Sequence, residues 1–280
     1  MKSIVGTIDR VAFSFGPFTV YWYGIIIGAA MLLAITLASK EGKKRGLGEE
    51  DITDMAMWAI PLGLIGARIY YVLFQWEYYI KKPLEIIAIW QGGIAIYGGL
   101  IAGGLAVYWF TKKKGIPFFS LMLDILAPYV LLAQSIGRWG NFINQEAHGE
   151  AVTRTFLENL YLPKFIIDQM QINGTYYHPT FLYESLWSLL GFAIIIMLRN
   201  RKNLLRRGEV ALSYVIWYSV GRFFIEGMRT DSLWMGDFLR VSQGLSLLLF
   251  VGAIAIWIYR RRDYPPKAYY LKGWKLKEEH

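Results

Sequence analysis

The sequence predicts an all-α integral membrane protein, a bundle of seven transmembrane helices with the N-terminus outside the cell and the C-terminus in the cytoplasm. Three observations favour this fold class. Of the 280 residues, 55% are hydrophobic and only 18% are charged, whereas soluble domains carry about 25% charged residues. The apolar residues come in blocks close to the roughly 20 residues that a membrane-spanning helix needs. Lysine and arginine collect in alternate connections between these blocks.

Seven segments are long and apolar enough, or nearly so, to cross a bilayer: residues 18–39, 52–74, 93–111, 120–136, 179–198, 210–228 and 244–259. The second and sixth segments contain charged residues in their interiors. We therefore expect their ends to be the least certain, although each still reads as a span.

The positions of the basic residues predict how the chain is oriented in the membrane. They follow the first, third, fifth and seventh segments, and these four clusters hold 19 of the 30 lysines and arginines. The positive-inside rule places such connections in the cytoplasm, and an odd number of spans agrees with termini on opposite sides. The net charge of +9 is thus explained by topology and by contact with anionic head groups, so nucleic acid is not predicted as a partner.

The chain is predicted to form one transmembrane domain, residues 1–280. It has an extracytoplasmic head region at about 137–178, with a short interfacial helix at 162–171, and a short basic cytoplasmic tail at about 260–280. Neither a cleavable signal peptide nor an internal repeat is evident. Cysteine is absent and histidine occurs three times. Disulfides and catalysis by a thiol of this chain are therefore excluded, and neither a metal nor a cofactor is predicted.

Charged residues within the apolar segments are candidate functional groups, because an arginine in lipid is costly and usually faces a cavity or the bundle interior. Arg68 lies in the second segment. In the sixth, helical spacing stacks Tyr218, Arg222, Glu226 and Arg229 on one face. An internal Arg222–Glu226 pair that only neutralises itself and locks helix packing is the alternative, but it does not account for the second arginine.

The fifth segment opens with HPTFLYES. His178, Tyr183 and Glu184 would lie near the outer interface. They are read either as part of a site or as helix initiation by Pro179, interfacial anchoring by Tyr183 and a solvated Glu184.

Two further features have ordinary structural explanations. Tyr23, in an aromatic cluster at the outer end of the first segment, is expected from its position alone to anchor the helix at the interface. The paired glycines of the third segment allow close helix packing, which is the favoured explanation for Gly103 and Gly104. Gly98 and Gly99, next to Tyr97, are read either in that way or as backbone opened toward a lipid head group.

The most polar stretch is GRWGNFINQEAHGE, residues 137–150. Arg138 would lie at head-group level, where a guanidinium holds a phosphate through two parallel hydrogen bonds. Amide and aromatic residues are mixed here, which indicates a loop folded back into the protein with its polar groups satisfied internally. An ordinary polar outer loop is the alternative.

Six motifs, in this order along the chain, closely resemble those of the prolipoprotein diacylglyceryl transferase family. They are YWYG (21–24), GARIYYVLF (66–74), GGIAIYGGLIAGG (92–104), GRWGNFINQEAHGE (137–150), HPTFLYES (178–185) and YSVGRFFIEGMRTD (218–231). The resemblance covers nearly the whole chain, and the family's seven-helix topology with an outside N-terminus agrees with the charge pattern.

The resemblance implies transfer of the diacylglyceryl group from phosphatidylglycerol to the thiol of the lipobox cysteine in a prolipoprotein signal peptide. A thioether forms and glycerol phosphate is released, at the extracytoplasmic side of the bacterial cytoplasmic membrane. By motif alignment, the expected catalytic residues are Arg138, Arg222, Tyr23, Asn141 and Glu226. The expected phosphatidylglycerol-binding residues are Arg138, Arg222, Tyr97, Gly98, Glu146, Gly149 and Tyr218.

One position departs from the family pattern. Many members have histidine where this chain has Tyr97, and that histidine has been cast as the base that activates the thiol. A tyrosine with a pKa near 10 is a poor base at neutral pH, so either another group activates the thiol or the histidine is not obligatory. His148 and His178 are present but are not assigned to the thiol.

Two other classes compete with this hypothesis. A polytopic lipid transporter or flippase would also place charges inside a helical bundle, yet such proteins usually show internal repeats. A non-catalytic membrane scaffold would explain the small-residue packing but not charged faces that converge on one side.

Overall fold

The computed structural model describes residues 8–16, 18–116, 119–230, 234–235, 239–263 and 269–270, and the side chains of 91, 234, 235 and 239 are not described. Ten helices occur within these residues: α1 Trp22–Lys44, α2 Asp51–Phe74, α3 Trp76–Tyr79, α4 Ile96–Lys113, α5 Phe119–Asn144, α6 Arg154–Asn159, α7 Lys164–Gln169, α8 Thr180–Arg199, α9 Glu209–Glu226 and α10 Val241–Asp263. Two 3₁₀ turns, Pro83–Ile87 and Ile89–Gln91, join α3 to α4.

The fold is mostly helical, and the protein is a membrane protein. Five helices are long and apolar enough to cross a membrane, namely α1, α2, α5, α8 and α10. The other two predicted spans correspond to α4 and α9, which have 18 residues each. Glycines and two terminal lysines lower the apolar character of α4, and α9 contains Glu209, Arg222 and Glu226.

The prediction of an entirely helical chain is wrong in detail, because the described part of the chain also contains seven short strands. They are β1 Val11–Phe15, β2 Phe18–Tyr21, β3 Ala151–Val152, β4 Gln171–Ile172, β5 Thr175–Tyr177, β6 Trp234–Met235 and β7 Leu239–Arg240. All of them pair antiparallel, as a β1–β2 hairpin, a β3–β5–β4 sheet and a β6–β7 hairpin. The first predicted span therefore starts four residues too early, since residues 18–21 are rich in the aromatic and β-branched residues that strands favour.

The described chain divides into two compact units. Unit 1 takes in the described parts of Met1–Ala34 and Leu126–Gly273, and unit 2 takes in Ile35–Ile125. In unit 2, α2 packs closely along α4. A Cβ on Gly66 would lie 2.8 Å from the Gly98 carbonyl oxygen, so small residues set this approach, as expected for helices in lipid.

In unit 1, the head region is a folded element rather than a loop. Its buried core consists of Phe142, Leu157, Ile166, Ile167, Met170 and Phe181. A helix, α7, lies within the predicted range 162–171, and its interfacial position stays a prediction. Gln169 ties it to the end of α5, because its amide donates to the carbonyls of Phe142 (3.3 Å) and Ile143 (3.1 Å).

The predicted basic tail is only partly described. Residues 260–263 end α10, and Tyr270 is fully buried, whereas residues 264–268 and 271–280 lie outside the described residues.

Candidate functional site

The polar stretch that begins at Gly137 starts as helix, which corrects the prediction of a folded-back loop. The fourth predicted span ends at residue 136, but α5 continues to Asn144. Gly137 and Gly140 lie within the helix, where they allow α1 to pack closely against it. A Cβ on Gly137 would lie 3.0 Å from the Ile27 side chain, and a Cβ on Gly140 would lie 2.6 Å from the Tyr23 ring. Arg138 and Asn141, three residues apart, therefore share one helix face.

Glu184 on α8 is the centre of the charged cluster. Its carboxylate forms an ion pair with Arg138. The carboxylate oxygen Oε1 lies 3.6 Å from Nη1 of Arg222 and 3.9 Å from Nη1 of Arg229. Glu184 is only 7% exposed, so the reading of this residue as a solvated interfacial carboxylate is wrong. One buried carboxylate thus gathers three guanidinium groups.

The predicted stripe on the sixth segment is confirmed for the residues that lie on α9. Nη2 of Arg222 forms an ion pair with Oε2 of Glu226 across one helical turn, with the two atoms 2.6 Å apart, and Glu226 is buried. This pair is not self-contained, since Arg222 also approaches Glu184. Arg229 lies beyond the end of α9, yet its guanidinium reaches the same carboxylate.

Arg138 and Arg222 both line one narrow pocket. The other residues that line it are Gln134, Glu184, Trp187, Ser188, Tyr218, Gly221 and Ile225. The ring of Tyr218 stacks on that of Tyr214 with centroids 5.9 Å apart, and the hydroxyl of Tyr214 accepts a hydrogen bond from Gln134 at 3.2 Å. The pocket is therefore polar at the arginines and aromatic beside them.

Hydrogen bonds connect this cluster to Glu146, just beyond the C-terminal end of α5. Nη1 of Arg138 donates to the Asn141 side chain at 3.4 Å, and Nδ2 of Asn141 donates to Glu146 at 2.8 Å. The ring of Tyr23 lies against Gly140, two residues beyond Arg138 on α5. A catalytic role for Tyr23 stays a prediction.

The backbone after α5 is held in an unusual conformation. Gln145 and Ala147 have positive φ angles of 54° and 56°, which most L-residues avoid. The Gln145 amide donates to the Gln169 carbonyl at 2.7 Å, and the Ala147 carbonyl accepts from Thr180 at 2.6 Å. Tertiary contacts therefore maintain this turn, and such strained backbone is typical of functional sites.

Gly149 has a clear packing role. Its N–H donates to the His178 carbonyl at 3.1 Å, and it pairs with Arg229 in an isolated β-bridge. A Cβ at this position would lie 2.7 Å from the His178 Cβ and 3.0 Å from the Met228 carbonyl oxygen. The absence of a side chain at Gly149 thus allows the segment that carries Arg229 to pack against it. A contact of Gly149 with substrate stays a prediction.

We expect Gly149→Ala to destabilise the protein by about 1–3 kcal/mol, as overpacking of a tight site does. The measurement is the unfolding midpoint of the purified protein in detergent. Gly104→Ala is the matched control, because a Cβ there meets nothing within 4 Å. Equal stability of the two variants would contradict the packing role. Normal stability with lost transfer would instead favour a substrate contact.

Two histidines lie near Gly149. The His148 ring stacks on Tyr177 at 4.1 Å, and Nδ1 of His178 lies 3.3 Å from the Tyr183 hydroxyl. Burial lowers the pKa of His178 below its ordinary value, only partly offset by the carboxylate of Glu150. Burial thus favours the neutral form of the His178 imidazole.

Tyr97, Gly98 and Arg68 belong to unit 2. Tyr97 is half-buried near the ring of Tyr70, 6.4 Å away. Gly98 lies where α2 and α4 approach most closely, while a Cβ on Gly104 would meet open space. The close packing predicted for Gly103 and Gly104 is thus wrong for Gly104, and a head-group contact for Tyr97 or Gly98 stays a prediction.

Arg68 is buried and organises the connection before α4. Its guanidinium donates to four backbone carbonyls, those of Glu85, Ile86, Gly92 and Gly93, at 2.6–2.8 Å. It also lies over the Tyr79 ring, 5.1 Å from the centroid. The charge is thus satisfied internally, which gives Arg68 a structural role.

The cluster suits an anionic ligand. Three guanidinium groups surround two carboxylates, those of Glu184 and Glu226. These groups lie in a largely buried place, where electrostatic interactions are stronger than in water, and planar guanidinium groups are donors that suit an anion. Within the described residues, no three imidazole or carboxylate groups come together as metal ligands do.

Sequence reasoning left Glu184 out of the expected site residues, and it did not use Gln134 or Trp187. The signal for Glu184 was available, since it is a carboxylate within an apolar segment, as Glu226 is. The pocket roles of Gln134 and Trp187 depend on contacts between distant parts of the chain, which a single sequence does not display.

Comparison with known proteins gives a consistent result. A family model described as prolipoprotein diacylglyceryl transferase matches residues 10–259. The chain is similar to proteins named phosphatidylglycerol–prolipoprotein diacylglyceryl transferase from Lactobacillus johnsonii (58% identical) and Lactobacillus acidophilus (57% identical), in each case over 96% of both chains. A protein of the same name from Halalkalibacterium halodurans is 53% identical over 93% of this chain and 89% of its own.

Proposed function

Since this chain belongs to the prolipoprotein diacylglyceryl transferase family, we propose that it transfers the diacylglyceryl group of phosphatidylglycerol to the thiol of a prolipoprotein's lipobox cysteine. The products are a thioether-linked lipid and glycerol phosphate. The protein is a membrane-bound transferase that acts in lipoprotein maturation.

The observation that carries this proposal is the group of three arginines around Glu184. A phospholipid phosphate is an anion that a planar guanidinium binds through two parallel hydrogen bonds. The carboxylates keep the arginines in place, so that donors are oriented before the substrate arrives. Preorganised donors of this kind are usually the largest contribution to stabilising a transition state.

The chemical step forms a bond between sulfur and carbon and breaks one between carbon and oxygen. The thiol sulfur attacks the glyceryl carbon that carries the phosphate, and that carbon–oxygen bond breaks with its electron pair going to the phosphate. The thiol gives its proton to water, and the negative charge from the broken carbon–oxygen bond collects on the leaving glycerol phosphate. Arg138 and Arg222 bind and stabilise that charge.

The remaining residues have supporting roles in this proposal. Asn141 orients Arg138 and links it to Glu146. Glu226 orients Arg222, and Tyr218 borders the pocket beside it. We place Tyr23 at the reacting centre, and Glu146 and Gly149 along the phosphatidylglycerol head group. For Tyr97 and Gly98, head-group binding remains what the family resemblance implies.

The proposed topology has seven spans, with α4 and α9 added to the five long apolar helices, and a single transmembrane domain. The N-terminus is outside and the basic tail at 260–280 is in the cytoplasm. Basic residues end α1, α4, α8 and α10, which supports this orientation through the positive-inside rule. The head region and the arginine cluster then face the extracytoplasmic side of the bacterial cytoplasmic membrane, where lipid and signal peptide meet.

The test supplies the full-length protein with phosphatidylglycerol vesicles and a synthetic lipobox peptide, and measures the peptide mass. A gain of one diacylglyceryl group on the cysteine peptide, and none on a Cys→Ser peptide, is the expected result. Movement of lipid across the vesicle membrane without any mass gain would favour a lipid transporter instead.

A further inference from the structure

Two tryptophans, Trp187 on α8 and Trp217 on α9, form a reciprocal contact that the proposed chemistry does not use. Nε1 of Trp187 donates to the Trp217 carbonyl at 3.0 Å, and Nε1 of Trp217 donates to the Trp187 carbonyl at 2.9 Å. The two rings stack with centroids 4.4 Å apart and an angle of 19° between their planes. Each helix thus gives one donor to the other and receives one.

The same sequence pattern on both helices makes this contact possible. A glycine follows each tryptophan by four residues, in WSLLG (187–191) and WYSVG (217–221). Trp217 lies on Gly191 and Trp187 lies on Gly221, so closely that a Cβ on either glycine would overlap the indole. A side chain at position i+4 covers the carbonyl of residue i on a helix surface, so glycine there leaves that carbonyl open to a second donor.

The energetics favour a rigid contact. A carbonyl oxygen has two lone pairs, and therefore accepts the indole N–H in addition to its helical hydrogen bond. A buried indole N–H needs a partner, and water is scarce inside a membrane bundle. A slide or rotation of α8 along α9 would break both hydrogen bonds and lift both rings off their glycines, so this contact fixes the register of the two helices.

That register decides where the charged groups meet. Glu184 precedes Trp187 by three residues on α8, and Arg222 follows Gly221 directly on α9. Nη1 of Arg222 and Oε1 of Glu184 are separated by 3.6 Å, just beyond hydrogen-bonding distance. Trp187 and Gly221 also line the arginine pocket. A shift of α9 by one ångström would therefore change the position of Arg222 relative to Glu184.

We propose that Trp187 and Trp217, with Gly191 and Gly221, form a positioning element that sets Arg222 against Glu184 for transfer. This inference rests on the proposed function, since it assigns the element to the same reaction. None of the four residues takes part in the chemistry, and the element acts through the position of Arg222. Ser135 and Ser185 connect α5 to α8 in a comparable way, with their hydroxyls 3.1 Å apart.

The test compares Gly191→Ala, Trp187→Phe and Trp217→Phe with wild-type protein in phosphatidylglycerol vesicles with the lipobox peptide. Misplacement by about one ångström costs up to about 100-fold in rate. We therefore expect kcat to fall about 100-fold for Gly191→Ala and roughly tenfold for each Trp→Phe variant, with the KM for lipid changed less than threefold. Trp90→Phe, at a side chain that is 76% exposed, is the control and is expected to keep wild-type kcat.

A second measurement separates positioning from general destabilisation. If the element sets Arg222 against Glu184, Gly191→Ala lowers kcat much less in a Glu184→Gln background than in wild type. The reason is that both changes then disturb the same contact, so their effects on the rate do not add. Equal losses in both backgrounds, or wild-type kcat in all three variants, would overturn the proposal. If wild-type protein itself transfers nothing, the proposed function fails instead of the positioning role.

Discussion

Replacing either Arg138 or Arg222 with alanine is expected to lower the transfer rate by about 10²–10³-fold, the usual cost of removing one preorganised donor to a developing charge. Each arginine lies in the buried cluster and contacts Glu184. Alanine removes both the positive charge and the paired N–H groups that a phosphate uses. The measurement is the initial rate of diacylglyceryl addition to a lipobox peptide.

Lysine at the same positions provides the matched comparison. Lysine keeps the charge but loses the planar fork, so we expect Arg138→Lys and Arg222→Lys to recover only part of the rate. Arg154→Ala is the control, because it removes an exposed pair with Glu158 on the head region and should leave transfer unchanged. Membrane insertion is verified by protease protection. A near-normal rate in both alanine variants would remove these residues from the site.

Replacing Glu184 with alanine is expected to lower the free energy of unfolding by about 3–5 kcal/mol, as breaking a buried ion pair does. The reason is specific to this cluster, since Arg138, Arg222 and Arg229 all approach this one carboxylate. Without it, three guanidinium groups face one another with less compensation. Denaturant titration of the purified protein in detergent measures the loss.

The control for this prediction is Glu158→Ala, whose carboxylate is about half exposed in its pair with Arg154; exposed pairs contribute about 0–1 kcal/mol. Glu184→Gln keeps the shape and removes the charge, and is expected to fall between wild type and Glu184→Ala. Equal stability of the Glu184→Ala and Glu158→Ala proteins would show that Glu184 does not hold the arginines together.

Features that depend on local spacing could be predicted from the sequence. The contact between Arg222 and Glu226 follows from their separation by four residues in an apolar segment, and α9 brings them together as expected. Helix α7 in the head region likewise forms within the range in which a helix was predicted. These two features form from residues that are close together in the sequence, so a short pattern is enough to predict them.

Features that depend on distant contacts were missed or misplaced. The fourth span was predicted to end at residue 136, yet α5 continues to Asn144, where Ile27 and Tyr23 from another helix fill the space beside Gly137 and Gly140. Strand β2 was predicted to be the start of a span, because its aromatic and β-branched residues are apolar like those of α1. The central position of Glu184 arises only when three separate segments meet around it.

The central claim is that the arginine cluster around Glu184 receives the phosphate that leaves phosphatidylglycerol. The most direct test places wild-type protein and the Arg138→Ala/Arg222→Ala double variant in phosphatidylglycerol vesicles with lipobox peptide, and measures released glycerol phosphate together with peptide mass. The wild-type protein should release one glycerol phosphate for each diacylglyceryl group gained, and the inserted double variant should produce neither. Comparable release and mass gain from the double variant would contradict the claim.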